Sequence, residues 1–105
     1  MERLTQRLRL ASRALATLEQ LTCIISPTLV ERDAAIQRFE CSTEACWKAA
    51  QSVLSTQLGL APASPKSVIR ASAQNALLTE ADARLAMDLV DDRNLTSHSY
   101  NEALA

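Results

Sequence analysis

The chain contains one histidine and one tyrosine, and they lie two residues apart, His98 and Tyr100, at the end of the run Asp91-Asp92-Arg93-Asn94-Leu95-Thr96-Ser97-His98-Ser99-Tyr100. An arginine, an imidazole and a phenol on one short segment combine a cation, a group that exchanges protons near neutral pH and a hydroxyl that can be modified. The guanidinium can hold two phosphate oxygens at once through its planar fork of donors. Taken alone, the R-x4-H spacing is a weak signal, because eleven basic residues can produce it by chance and a histidine near a helix end is often only a cap. Asp91 and Asp92 argue against a phosphate site at Arg93 unless they turn away or find basic partners.

The rest of the composition describes the scaffold that must place this segment. With 105 residues the chain has material for one core, so one domain over residues 1–105 is expected. Hydrophobic residues make up 48% but aromatic residues only 3%, so alanine and leucine fill the interior, and both favour helix. One glycine and three prolines leave little for hairpin turns, and no stretch alternates as a half-buried strand does. The expected class is all-α. A net charge of -1 argues against coating nucleic acid through the overall field, so any RNA contact must be local. Cys23, Cys41 and Cys46 are odd in number and lack C-x-x-C spacing, which fits neither a disulfide framework nor a zinc site and points to a reducing cytoplasm. No apolar stretch reaches the roughly 18–20 residues that span a bilayer, so no membrane contact is expected.

Four helices follow from the pattern. The first runs from about Glu2 to Cys23, with Leu4, Leu8, Ala11, Leu15 and Leu18 as an inward stripe. Its arginines Arg3, Arg7, Arg9 and Arg13 have the look of a transit peptide, but the regular stripe favours a folded helix with a solvated basic face. Ser26-Pro27 suits a cap and first-turn proline, so the second helix opens there and runs to Leu58, with Gly59 as the left-handed cap. Ile36, Phe39, Thr43, Trp47, Ala50 and Leu54 form its core stripe, with Glu40, Glu44 and Lys48 along the flank. Ser64-Pro65 opens a third helix that faces the core with Val68, Ile69 and Ser72 and ends near Asn75. Thr79-Glu80-Ala81-Asp82 has capping-box spacing and starts a fourth helix ending at Arg93.

Arg32-Asp33-Ala34-Ala35-Ile36-Gln37-Arg38-Phe39-Glu40, then Glu44 and Trp47-Lys48, then Ser64-Pro65 with Val68-Ile69-Arg70, then Arg93 through Tyr100 resemble, in order and spacing, the nucleotidyltransferase substrate-binding-protein family, a branch of the HEPN domains. The resemblance runs from about Leu4 to the C-terminus. It implies an up-and-down antiparallel bundle of four to five helices that pairs as a homodimer, with the R-x4-H segments of two protomers forming one cleft. It also implies a minimal nucleotidyltransferase as partner. The sequence departs from the family pattern at Cys41, where an aromatic is usual, at Ala76, where a glycine often precedes Leu77-Leu78, and at Arg84, a common tryptophan position. A last helix looks short or missing.

Relatives in HEPN and nucleotidyltransferase pairs resemble toxin and antitoxin. There the HEPN chain is a metal-independent endoribonuclease with an R-x4-H-x-Y signature, and its partner silences it by transferring AMP to the tyrosine. The resemblance therefore casts Arg93 and His98 as catalytic and Tyr100 as the modification site, with no metal or cofactor. Read from the residues themselves, Asn94, Thr96 and Ser97 offer neutral donors in support, with capping the start of the next turn the first reading for at least one of them, and Glu40 and Glu44 either line the cleft, orient Arg93 or make structural salt bridges, the last being the first reading. The alternative function is a non-catalytic subunit that binds a nucleotide or other substrate for a two-component nucleotidyltransferase.

Overall fold

The computed structural model describes the backbone of residues 2–104 and the side chains of residues 2–96. The described residues form four helices and no strand: α1 (Glu2–Thr22), α2 (Leu29–Leu58), α3 (Pro65–Gln74) and α4 (Glu80–Leu104). The all-α bundle expected from the composition is what the chain adopts. At 1.5 Å per residue α2 is about 45 Å long, and it sets the 44 Å long dimension of the molecule.

The helix boundaries come from local chemistry. α2 begins later than Ser26-Pro27 suggests, because Thr28 and Glu31 form the stronger signal. The Thr28 hydroxyl accepts from the Glu31 amide at 3.1 Å and the Glu31 carboxylate accepts from the Thr28 amide at 2.9 Å, a reciprocal capping box. Pro27 is thereby left outside the helix. At the far end Gly59 has φ 67°, and the amides of Gly59 and Leu60 close onto the carbonyls of Ser55 and Leu54. Ser64 and Ser67 cap α3, with Pro65 in its first turn. The Thr79 hydroxyl accepts from the Asp82 amide at 3.0 Å and starts α4.

α4 does not stop at Arg93. It continues to Leu104, because nothing between Arg93 and Tyr100 breaks a helix: there is no glycine or proline, and the Thr96 hydroxyl folds back on the Asp92 carbonyl at 2.7 Å. Arg93, His98 and Tyr100 therefore share one continuous helix.

α1 and α2 run antiparallel, as shown by Arg38 Nη1 donating to the Thr17 carbonyl at 2.8 Å while Arg3 and Arg7 lie beside Gln51–Thr56. α3 and α4 both pack on α2 and on each other, but among the described residues α1 and α4 do not pack together. The core is centred where α2 and α3 meet: Leu54, Val68 and Ser72 are almost completely buried, with Ala49, Ser42, Ile69 and Val90 around them. The third helix thus buries the expected Val68, Ile69 and Ser72. The leucine stripe of α1 is only partly used, since Leu4 and Ala11 are buried while Leu8 and Leu15 remain exposed. The α2 stripe behaves likewise, with Leu54 buried and Phe39, Thr43, Trp47 and Ala50 half-buried. With α1 and α4 apart, a groove of about 310 Å³ opens between them, lined by Leu15, Phe39, Trp47, Leu78 and Leu89 among others.

The departures from the family pattern have local explanations. Arg84 sits on the surface and pairs with Glu80 at 3.1 Å, and Cys41 is exposed. Ala76 has φ 61°, the left-handed conformation that turns the chain out of α3, while the amides of Leu77 and Leu78 return to the Ser72 carbonyl. A side chain there costs conformational energy that glycine avoids. Ala76→Gly should therefore stabilise the fold by about 0.5–1 kcal/mol, and Gly59→Ala should destabilise it by a similar amount. Urea unfolding midpoints for the two variants, measured against the parent chain, check both signs.

Candidate functional site

Arg93 stands on the part of α4 that faces α2, and its side chain is about one-third exposed. Its Nη2 is 3.8 Å from Glu44 Oε2, and its Nη1 donates to Asn94 Oδ1 at 3.3 Å. Its Nε is buried and has no hydrogen-bond partner among the described residues. A buried N–H without an acceptor is a cost to the fold; what Arg93 offers a ligand is the exposed third of its side chain, not this closed-off nitrogen.

Glu44 is the junction of the site. Residues 44, 47 and 48 are spaced i, i+3 and i+4, which places them together on one side of α2. Trp47 Nε1 donates to Glu44 Oε2 at 2.8 Å, and Lys48 Nζ pairs with Glu44 Oε1 at 3.2 Å. Trp47 is thus not purely a core residue: its ring lines the apolar groove while its N–H reaches the carboxylate. The indole hydrogen bond is the main reason that the Glu44 carboxyl lies below the usual carboxylate range. Burial opposes it, and the charges of Lys48 and Arg93 assist.

The structure brings some of the sequence-level candidates together and separates others. Glu44, Arg93 and Asn94 form one cluster. Glu40, one turn earlier on α2, instead lines a shallow pocket with Asp33 and Gln37 and makes neither hydrogen bond nor ion pair with Arg93. Asp91 does not oppose Arg93, because it pairs across to α3 with Lys66 at 2.7 Å. That cross-helix pair was invisible in the sequence, where Lys66 and Asp91 are separated by a turn and most of a helix. Asp92 is exposed, and its carbonyl is taken by Thr96. The side chains of Ser97, His98 and Tyr100 lie outside the described residues, but the backbone of α4 carries their positions. His98 follows Arg93 by five residues, about 7.5 Å along the axis, and Tyr100 follows it by seven, two turns on.

Comparison with known proteins agrees with these motifs. The family model described as nucleotidyltransferase substrate binding protein like matches residues 6–105. The chain belongs to this family. The family's helical bundle is also that of a solved crystal structure of a Thermus thermophilus protein, with a TM-score of 0.80 and 55% sequence identity, covering 90% of this chain and 79% of that one. Among curated proteins no match was found. In this member of the substrate-binding-like family an arginine on α4 lies 3.8 Å from a glutamate on α2. Among the described residues no helix is long and apolar enough to cross a membrane.

The Glu44 junction makes a measurable claim. Because its folded carboxyl titrates below the usual range, the junction contributes stability above the unfolded-state pKa and loses it as the pH falls through the folded value. Carbon-detected NMR titration of the Glu44 carboxyl should give a midpoint below that of an ordinary glutamate. Trp47→Phe, which removes the principal donor, should move that midpoint upward; an unchanged midpoint would rule the indole out as the cause.

Proposed function

We propose that this chain is the HEPN-type partner of a minimal nucleotidyltransferase and acts as a metal-independent endoribonuclease that the partner silences. The observation that carries the reading is Arg93: a partly exposed guanidinium beside Glu44 and Asn94, five residues before His98 on the same helix. Cleavage of RNA without metal needs a base for the 2′-hydroxyl, an acid for the leaving 5′-oxygen and positive charge against the phosphorane. His98 takes the proton from the 2′-hydroxyl, whose oxygen attacks the adjacent phosphorus. Arg93 binds the equatorial oxygens, and an imidazolium from a second copy protonates the departing 5′-oxygen. An imidazole populates both protonation states near neutrality, so two copies of one residue can take the two roles.

The two-copy site calls for a homodimer. The open apolar groove supports it, because Trp47 is shared between that groove and the Glu44 junction, so a second copy seated there would lie next to Arg93. The whole of residues 1–105 acts as one domain in this reading, and the pair works in the cytoplasm. In the silenced state the Tyr100 oxygen bonds to the α-phosphorus of ATP and pyrophosphate departs. The resulting AMP adds a bulky anion one short segment from Arg93 and His98 and fills the phosphate site by charge and by volume.

The family description favours a second reading, a non-catalytic subunit that presents substrate to the nucleotidyltransferase, with Arg93 as a phosphate anchor. Two measurements separate the readings. Purified chain should cleave single-stranded RNA in the presence of a metal chelator, and His98→Ala should lower the rate by about 10²–10⁴-fold, with Arg93→Ala also impaired. Intact-mass analysis after co-expression with the nucleotidyltransferase should show an AMP-sized addition that Tyr100→Phe abolishes. A stable complex with no cleavage and no addition would favour the substrate-binding subunit.

A further inference from the structure

We infer that a second phosphate-binding subsite lies at the other end of the α2 flank, formed by Arg3 and Arg7 of α1 with the side chains of Ser52, Ser55 and Thr56. These residues line a pocket of about 300 Å³ where α1 passes the last two turns of α2 and the α2–α3 connection. Leu4, buried between the two arginines in sequence, fixes this end of α1 against α2. Arg3 and Arg7 are one turn apart and so project to the same side of α1. Neither has an ion pair among the described residues, and no carboxylate lines the pocket. Lys48, Lys66, Arg84 and Arg93 each face a carboxylate; Arg9, Arg13, Arg32, Arg38 and Arg70 have no ion pair among the described residues either, but none of them lines this pocket, so it is the shared pocket that sets Arg3 and Arg7 apart.

Two guanidiniums beside three hydroxyl donors form a set that binds phosphate oxygens, the arginines by paired hydrogen bonds and the hydroxyls by single ones. The C-terminal end of α2 opposes this, because its free carbonyls carry partial negative charge. That opposition is reduced here, since the carbonyls of Leu54 and Ser55 are already bonded to the amides of Leu60 and Gly59. Gln51 is also held, donating to the Pro62 carbonyl at 2.8 Å, so the wall of the pocket is fixed. Two full positive charges outweigh what remains of a half-charge dipole end.

The register of α2 connects this pocket to Arg93. Glu44, Lys48, Gln51 and Ser55 are spaced i, i+4, i+7 and i+11 and lie along one side of the helix. Arg93 meets this line at Glu44, Lys48 stands in the middle at 45% side-chain exposure, and Arg3 and Arg7 meet it at Gln51 and Ser55. The two ends are about 10–17 Å apart along the axis. A strand of RNA whose reacting phosphate sits at Arg93 would place a phosphate a few nucleotides away in the second pocket. The subsite is therefore for a backbone phosphodiester of single-stranded RNA. It rests on the RNA-binding part of the function proposed above and not on cleavage.

The test uses the full chain and an uncleavable 2′-O-methyl oligonucleotide, with affinity followed by fluorescence anisotropy over a range of salt. R3A/R7A should weaken binding about tenfold at low salt and flatten the log–log salt slope by about 1.4, since each lost contact to a single strand removes about 0.7. R9A/R13A, which removes two exposed arginines of α1 that do not line the pocket, should leave both nearly unchanged. Equal losses in the two double variants would overturn the subsite and reduce the effect to net charge. Binding that responds to Arg93→Ala but not to R3A/R7A would sink the subsite alone, whereas a parent chain that does not bind the oligonucleotide would sink the RNA reading and this subsite with it. AMP or inorganic phosphate displaced from R3A/R7A-sensitive binding without any oligonucleotide affinity would overturn the assignment to an RNA backbone.

Discussion

All three other helices pack on α2, and the structure follows from how one 30-residue helix is shared among them. A helix with neighbours on several sides cannot confine its apolar residues to a single narrow stripe. Leu54 is fully buried where α2 meets α3, while Phe39, Thr43, Trp47 and Ala50 are only half-covered, because the side they face lies between α1 and α4. Since those two helices do not meet among the described residues, the bundle is closed on one side of α2 and open on the other. The hydrophobic effect rewards covering such a surface in proportion to its area, so the open side is where association is most favourable.

The same helix organises the polar residues. Glu44, Lys48, Gln51 and Ser55 run down its flank, next to the apolar groove but outside it. Trp47 joins the two environments, with its ring in the groove and its N–H on Glu44. A carboxylate in this position has a double effect. It screens part of the charge of Arg93, and it restricts the orientations of a long side chain that would otherwise have to be ordered when a ligand binds. The distance of 3.8 Å to Arg93 and the partial exposure of both groups make this a weak ion pair in energetic terms. Its value lies in placement.

Family membership fits this arrangement, because the motifs that carry it are spread over α2, α3 and α4 and meet only in the folded chain. The Lys66–Asp91 pair illustrates the point. Asp91 was an obstacle to a phosphate site as long as its neighbours were known only along the chain. In the bundle it is turned toward α3, about 200° around α4 from Arg93 at 100° per residue, and its charge is matched there.

Much of the fold was legible in the sequence, for reasons that are local. Alanine and leucine content with scarce glycine requires helix, Gly59 ends α2 because only a left-handed residue closes its last turn, and Ser64-Pro65 starts α3 through a cap and a preset φ. The Arg93, His98 and Tyr100 spacing was equally plain. Where local signals competed, reading along the chain chose wrongly: Ser26-Pro27 was favoured over the reciprocal Thr28–Glu31 cap, and α4 was stopped at Arg93 although no residue there breaks it. Only the tertiary structure decided which partners each charge found, namely Trp47 and Arg93 for Glu44, Lys66 for Asp91 and no carboxylate for Arg3 and Arg7. It likewise decided that Leu8 and Leu15 stay exposed although their stripe is regular. Periodicity shows that one side of a helix is apolar. Whether that side is covered depends on which helices pack against it, and this is set by contacts between residues far apart in the chain.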